Sequence, residues 1–557
     1  MNRNSLPKWT CISGGVLMFF SMFGISQAAP IPNAGELLQQ IEKEQRPQLP
    51  EQTLPKIISE PQKLAPTGGV KITVKKFNFS GNTLFSNEEL ASVLAGYLHR
   101  PLSFIGLQKA SSAIAEHYRK AGWVVRVYLP KQDVTEGIIT IHIIEAVFGG
   151  VQLKGELNRL SKKGLLERIS SIQAKGKHLN VNNIDRALLL LDDLPGTSVR
   201  GSLSKGQRES ETNLLVTTAD EPLFQVKISG DNTGPRSIGS RRVKADFYLN
   251  SPLKIGDQLV GNMIHSRGLF YRRLAYSLPI GDDGFRMGLS GSYLTYHLVG
   301  AFSSLNALGH SSTIGLNAQY PVIRTRLKNL YIGFNAVHKK FDNEVNTNTT
   351  TRYQIDDLSI DLMGNVFDKL GGGGVSNAEI TITEGRDLLG HINLAENTAL
   401  NGKFTKLKYN LNRHQVISNK VSAYIALRGQ EANRNLDLAE KFYLGGSYGV
   451  RAYPANEGSG SSGQLLNLEL RTQLLPNLIL TGFYDYGHVS KTGIAHLKSY
   501  SLQGAGVSVA WSIRSRINLK ATWARRIGSN PNKLSNGNDQ SGTLQENRFW
   551  LQASTLF

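Results

Sequence analysis

Ile517-Asn518-Leu519-Lys520-Ala521-Thr522-Trp523 places an apolar side chain at every odd position and a polar one at every even position. Successive side chains of an extended strand point to opposite faces, so the segment has one greasy face and one wettable face. The same alternation recurs at Phe224/Val226/Ile228, Val243/Ala245/Phe247/Leu249, Leu330/Ile332/Phe334/Ala336, Leu407/Tyr409/Leu411, Val421/Ala423/Ile425/Leu427, Leu466/Leu468/Leu470 and Phe549/Leu551/Ala553/Thr555/Phe557. No amphipathic helix interrupts residues 223–557. The expected fold of this region is a transmembrane β-barrel, with hydrocarbon outside and water inside. Lipid offers no partner to a free N–H or C=O, so strands that span it must close on themselves. With spans of roughly 9 to 11 residues plus turns, the region accommodates about sixteen antiparallel strands; fourteen or eighteen also fit. A large soluble β-sandwich or propeller would alternate in the same way.

Working outward, residues 70–222 follow a different grammar. Val70 to Phe79 alternates as a strand and Gly81-Asn82 turns. Ser86 with Glu89 forms a capping box that opens a helix. A second helix carries Leu107, Ala110, Ile114 and Tyr118 and ends at Gly122. Strands at Trp123–Leu129 and Gly137–Glu145 complete a first α+β module, 70–146. The order repeats in a second, 147–222: strand Phe148–Leu153, helices Arg159–Ser170 and Asn183–Asp193, then strands Ser198–Leu203 and Asn213–Thr218.

Ahead of these modules, residues 29–46 contain a short amphipathic helix with Leu37, Leu38 and Ile41 on one side. Pro47, Pro50, Pro55, Pro61 and Pro66 make 47–69 an extended tether. Residues 1–28 read as a secretory signal: Arg3 and Lys8, an apolar run from Trp9 to Ile25, then Ser26 and Ala28 before the cleavage point. A single membrane-anchor helix is the alternative, but glycines and serines interrupt the run. Removing the signal takes away Cys11, the only cysteine, so disulfides do not stabilise what remains. The secretory start, the thiol-free composition and the aromatic closing strand favour the barrel over a soluble sandwich.

The chain carries a formal net charge of +20. Its bases are scattered over alternating polar positions and form no patch, which fits a wetted lumen and gives no argument for nucleic acid. Gly445-Gly446-Ser447-Tyr448-Gly449 spells G-x-S-x-G but is not set on a strand-to-helix elbow. The Gly-Lys pairs at Lys177 and Lys403 lack a Walker context, and the histidines show no metal spacing. No catalytic residue, cofactor or metal is expected.

The two modules resemble POTRA domains, on Gly81-Asn82-Thr83-Leu84-Phe85 in the first and Leu190-Leu191-Asp192-Asp193-Leu194-Pro195-Gly196 in the second. The barrel opening resembles that of the TpsB family of two-partner secretion transporters, on Gly230-Asp231-Asn232, Leu249-Asn250-Ser251-Pro252-Leu253 with Gly256-Asp257, and Tyr276-Ser277-Leu278-Pro279. The resemblance is collinear along 29–557. It implies that Val450-Arg451-Ala452-Tyr453 is the V-R-G-Y tip of a loop folded into the lumen. Phe483-Tyr484-Asp485-Tyr486-Gly487 then supplies the wall motif, with Phe483, Asp485 and Gly487, whose aspartate holds Arg451. Ala452 replaces the family glycine, and a positive φ there would strain the tip. The residue 29–46 helix matches the family's plug.

The implied function is export of one large unfolded exoprotein, a haemolysin, adhesin or haem-acquisition protein, across the outer membrane. The modules would face the periplasm. The implied partners are that TpsA-type exoprotein, outer-membrane lipid, and the periplasmic chaperones and barrel-assembly machinery that insert the chain. The exoprotein would add to a module edge strand, with Ser198, Val199, Leu188 and Leu191 lining the groove. The alternatives are a factor that assembles other barrels, which usually carries more modules, and a passive porin, which leaves the modules unexplained.

Overall fold

The computed structural model describes residues 32–44, 71–389, 400–455, 457–494, 497–514 and 516–557. The signal at 1–28, Cys11 and the proline-rich tether at 47–69 lie outside the described residues. Sixteen antiparallel strands form one closed barrel, of the three counts that the length allowed. Closure is made by the last strand, Asn547–Leu556, pairing with the first, Phe224–Asp231, from Gln552↔Asp231 to Leu556↔Lys227. Phe557 extends the seam by exchanging backbone hydrogen bonds with Val226.

The alternation explains which face is which. Leu316, Leu358, Ile360, Ile382 and Leu551 all point outward and are 54–58 % exposed on the isolated chain. Leaving five such side chains in water would forfeit about 1.5–3 kcal/mol each, so this band belongs in hydrocarbon. A soluble sandwich is excluded by both the closure and this band. Strands such as Lys328–Val345 (18 residues) and Asn348–Asp368 (21 residues) exceed a single membrane crossing and project beyond it on the side away from the modules.

Both modules share one topology. In the first, Lys76–Ser80 runs parallel to Ile138–Glu145, which takes Val125–Tyr128 antiparallel on its other side. In the second, Val147–Gly155 runs parallel to Glu211–Asp220, flanked by Thr197–Lys205. Val125–Tyr128 and Thr197–Lys205 are therefore edge strands. The opening strand of the first module is split. Ile72–Thr73 pairs with Pro101–Leu102, then Val74 turns into the core before Lys76–Ser80 begins. Ser86 caps helix Asn87–Val93 by accepting from Glu89 N, but the Glu89 carboxylate lies 3.0 Å from His117 Nε2.

Within the first module, Glu145 anchors the Gly81–Phe85 turn. Its carboxylate accepts from Thr83 N at 2.8 Å, Leu84 N at 3.0 Å and Tyr118 Oη at 2.9 Å. Burial alone would raise the Glu145 pKa, but these donors outweigh it and hold the carboxyl below its ordinary range.

The second module docks on the barrel through two of the quoted motifs. Asp193 takes a bidentate pair from Arg324, Nε to Oδ2 at 2.7 Å and NH2 to Oδ1 at 2.6 Å. Gly256, at φ +85°, leaves room for Leu194, whose nearest atom would lie 2.7 Å from a Cβ there. The Leu190–Gly196 stretch and the Leu249–Asp257 turn are thus two halves of one joint.

Candidate functional site

Two elements occupy part of the lumen. Helix Ala34–Glu44 lies inside the barrel, with Leu37, Leu38 and Ile41 packed against Ile264, Tyr271, Phe341 and Ile355 of the wall. An apolar lumen face is costly when wetted, and these helix side chains are what cover it. The helix ends are held by polar contacts: Ala34 N donates to Asn343 Oδ1 at 2.8 Å, and Glu44 pairs with Arg242 at 3.0 Å and Lys244 at 2.5 Å.

The second element is the loop between strands Val421–Ala432 and Ser462–Leu475. A two-residue ladder, Phe442–Tyr443 against Ser459–Gly460, narrows it to a hairpin directed into the lumen. The tip turns on itself through Val450 N to Leu444 O at 2.7 Å and Tyr453 N to Val450 O at 3.0 Å. Val450, Ala452 and Tyr453 are fully buried against the wall.

Phe483, Asp485 and Gly487 occupy three successive inward positions of strand Leu478–Ile494, and each does something different to that tip. Asp485 Oδ1 accepts from Arg451 NH2 at 2.7 Å, while Oδ2 accepts from Nε at 2.9 Å and from the Arg451 backbone N–H at 3.0 Å. The Phe483 ring lies under the guanidinium at 3.5 Å, a cation–π contact. Gly487 has no side chain, and a Cβ there would sit 2.8 Å from Leu444 and 3.0 Å from Val450. The sequence places these residues on one face; the fold brings the face to the tip.

The neighbouring strand adds residues that sequence reasoning missed. Asn467, in register with Asp485, donates to its Oδ1 at 2.7 Å and to Gly449 O at 3.1 Å. Glu469, in register with Phe483, accepts from Arg451 NH1 at 2.7 Å. Trp550 Nε1 donates to the Arg451 carbonyl at 2.8 Å, and the Arg526 guanidinium lies 4.8 Å from the Tyr453 ring centroid. Arg451 is therefore held by two carboxylates, and burial, which would lower its pKa, is outweighed by Asp485 and Glu469, which raise it. Ala452 is absent from the residues with positive φ, so its methyl brings no backbone strain.

A second ionic cluster ties the base of the loop to strands Lys328–Val345, Asn348–Asp368 and Gly402–Val416, the last of them paired with the loop's own strand Val421–Ala432. Glu440, 1 % exposed, accepts from Lys339 at 2.6 Å and pairs closely with Lys406, while Lys339 also reaches Asp357 at 3.0 Å. Nothing in the sequence alone marked Glu440, because loop residues have no periodicity to read.

The expected groove of the second module needs correcting. Leu188, Leu191 and Val199 are buried in that module's own core, because the helix packs directly on the sheet. Only Ser198 is partly open. What the edge strand Thr197–Lys205 offers a partner is backbone and the exposed Leu203.

Comparison with known proteins bears on this architecture. The family described as "Haemolysin secretion/activation protein ShlB/FhaC/HecB" matches residues 210–511, and "POTRA domain, ShlB-type" matches residues 72–146. The chain is 24 % identical to the heme/hemopexin transporter protein HuxB of Haemophilus influenzae, over 99 % of each chain. It is 22 % identical to the outer membrane transporter CdiB of Dickeya dadantii, over 80 % of this chain and 81 % of that one. The structure of CdiB from Escherichia coli superposes with a TM-score of 0.76 at 19 % identity, covering 96 % of this chain and all of that one. The chain belongs to the ShlB/FhaC/HecB haemolysin secretion/activation family, the TpsB transporters that carry exoproteins through the outer membrane with their POTRA domains in the periplasm.

Proposed function

We propose that the chain exports a TpsA-type exoprotein by recognition and passage, with no bond made or broken. The observation that supports this best is a closed barrel whose lumen is occupied by two elements, the Ala34–Glu44 helix and the Arg451 loop, each held by polar contacts that can be exchanged. The unfolded exoprotein first adds as a strand to a POTRA edge, Thr197–Lys205 being well placed beside the barrel mouth. It then enters the lumen as the helix withdraws, and the loop tip re-forms its contacts behind it. Folding of the exoprotein outside the cell supplies the drive. Periplasmic chaperones and the barrel-assembly machinery deliver the transporter to the membrane, and outer-membrane lipid covers its apolar band.

HuxB is named for heme and hemopexin, and a haem-acquisition exoprotein is the cargo class we assign on that likeness. Co-expression with a cognate exoprotein in a host lacking such a system tests the reading. Exoprotein should reach the medium only when the transporter is present. Cargo that stays in the periplasm beside a correctly folded barrel would overturn it. Removing residues 32–44 should raise small-ion conductance while export continues; unchanged conductance would remove the plug from the account.

A further inference from the structure

The last surface segment, residues 527–546, joins strands Ile517–Arg526 and Asn547–Leu556 at the end of the barrel away from the POTRA domains. It is folded back on the barrel by buried Asp539, which accepts from Arg526 NH2 at 2.6 Å, Arg548 NH2 at 2.5 Å and the backbone N–H groups of Ser541 and Thr543, both at 3.0 Å. Just beyond Asp539 the segment meets two other surface segments. Arg236 NH1 donates to Ser541 O at 3.2 Å, and a Cβ on Gly542 would lie 3.6 Å from the Phe302 ring. Those neighbours, with Ile238, Leu298 and Phe302, share one apolar cluster with Leu37, Leu38 and Ile41 of the Ala34–Glu44 helix, which sets residues 527–546 in the roof over the occupied lumen.

One carboxylate of the inward loop grips this segment. Glu457 is 0 % exposed, and its side chain accepts three hydrogen bonds, all from residues 527–546: Asn530 Nδ2 at 3.1 Å and Asn532 Nδ2 at 3.2 Å on Oε1, and Gln540 N at 2.9 Å on Oε2. It forms no ion pair among the described residues. Its backbone belongs to the loop tip, since Glu457 N donates to Pro454 O at 3.1 Å and Glu457 O accepts from Gly445 N at 2.9 Å. The carboxylate therefore travels with the Val450–Tyr453 turn. A carboxylate buried on neutral donors alone carries a desolvation cost that its hydrogen bonds only partly offset. Such a contact holds but does not lock: once the tip shifts, the group regains water and the segment loses three acceptor contacts together.

We infer that Glu457 is a positioning residue for export: it clasps residues 527–546 shut over the lumen exit and makes opening of that exit follow displacement of the Arg451 tip. The inference rests on the export reading, in which the unfolded chain leaves through this end of the barrel. Arg451 and Glu457 then divide the work, the first holding the tip to the wall and the second holding the roof to the tip.

The test is thiol labelling on intact cells with a membrane-impermeant maleimide, in a full-length Cys11→Ser background, with heat-modifiable gel migration to show that each variant is a folded barrel. Ser541→Cys reports the clasped stretch, at 3 % exposure, and Ser535→Cys, on the exposed part of the same segment, is the control that should label fast throughout. Ser541→Cys should label slowly in cells making the transporter alone and about tenfold faster while a cognate exoprotein is exported. Adding Glu457→Ala should raise the rate about tenfold without any exoprotein, and Asn530→Ala/Asn532→Ala should raise it from the other side of the clasp with the inward loop untouched. The arm without exoprotein tests the clasp apart from export. A wild type that puts no exoprotein in the medium counts against the export reading. Labelling of Ser541→Cys that is unchanged by Glu457→Ala or by the double variant, that matches Ser535→Cys from the start, or that stays slow while exoprotein reaches the medium overturns the clasp.

Discussion

The methyl of Ala452 fills the space that a side chain at Gly504 would occupy: a Cβ at Gly504 would lie 2.6 Å from Ala452 Cβ. Gly504 is the cross-strand neighbour of Asp485, so the loop tip lies on a row made of Asn467, Asp485 and Gly504. Ala452 is accommodated because Gly504 of the wall carries no side chain. Gly504→Ala should displace the tip, at about 1–3 kcal/mol for an overpacked core, and reduce export. Adding Ala452→Gly should restore it, and Ala452→Gly alone should be silent. Normal export by Gly504→Ala would mean that the tip does not rest on this row during transport.

Arg451→Ala leaves Asp485, at 0 % side-chain exposure, buried without its cation, while Glu469 keeps Arg471 at 2.7 Å. Breaking a buried pair in this way costs about 3–5 kcal/mol. The strand ladder does not depend on the pair, so the barrel should still insert and show normal heat-modifiable migration while export is lost. Arg451→Lys should fail as well, since one ammonium cannot reproduce the two-oxygen contact with Asp485 and the contact with Glu469 together. Export at the wild-type rate by Arg451→Ala would detach this cluster from the transport mechanism.

Glu440→Gln should loosen the base of the same loop from the wall strands that carry Lys339 and Lys406. It leaves Lys406, 2 % exposed, without its carboxylate, and Lys339 with only Asp357. The expected result is a lower unfolding temperature and raised ion conductance with the Arg451 cluster intact. Pairing it with Lys406→Gln removes the stranded charge and should recover part of the stability, a coupling that a double-mutant cycle measures. Simple additivity of the two substitutions would show that the pair carries no such role.

These sites differ in how far the sequence revealed them. Phe483, Asp485 and Gly487 were marked by the resemblance to the family's wall motif, and their spacing of two is what puts them on one face once the stretch is a strand. Leu466, Leu468 and Leu470 likewise implied that Asn467 and Glu469 point inward. What alternation cannot give is register, and register is what sets Asn467 beside Asp485 and Glu469 beside Phe483. Glu440 and Trp550 were invisible for related reasons, one in an irregular loop and the other on a strand far along the chain. The groove reading of Leu188 and Leu191 failed differently: their helical spacing reports a buried face, and the module's own sheet is what buries it.

The plug helix should respond to pH through Glu36. Burial pushes its carboxyl up to about 7 from an ordinary 4.5, against the opposing pull of Gln40, which donates at 3.1 Å, and of Lys441. Tyr296 and Tyr443 face it from the wall and the inward loop. Docked, the group holds its proton until about pH 7, whereas on a withdrawn helix it ionises near 4.5. Docking therefore takes up a proton between these values: the helix is held most firmly below 4.5, loosens as pH rises toward 7, and changes little beyond. Planar-bilayer recordings should show lower conductance at about pH 5 than at about pH 7.5, and Glu36→Gln should abolish the difference by fixing the neutral form. A pH response that survives in Glu36→Gln would place the titrating group elsewhere in the lumen.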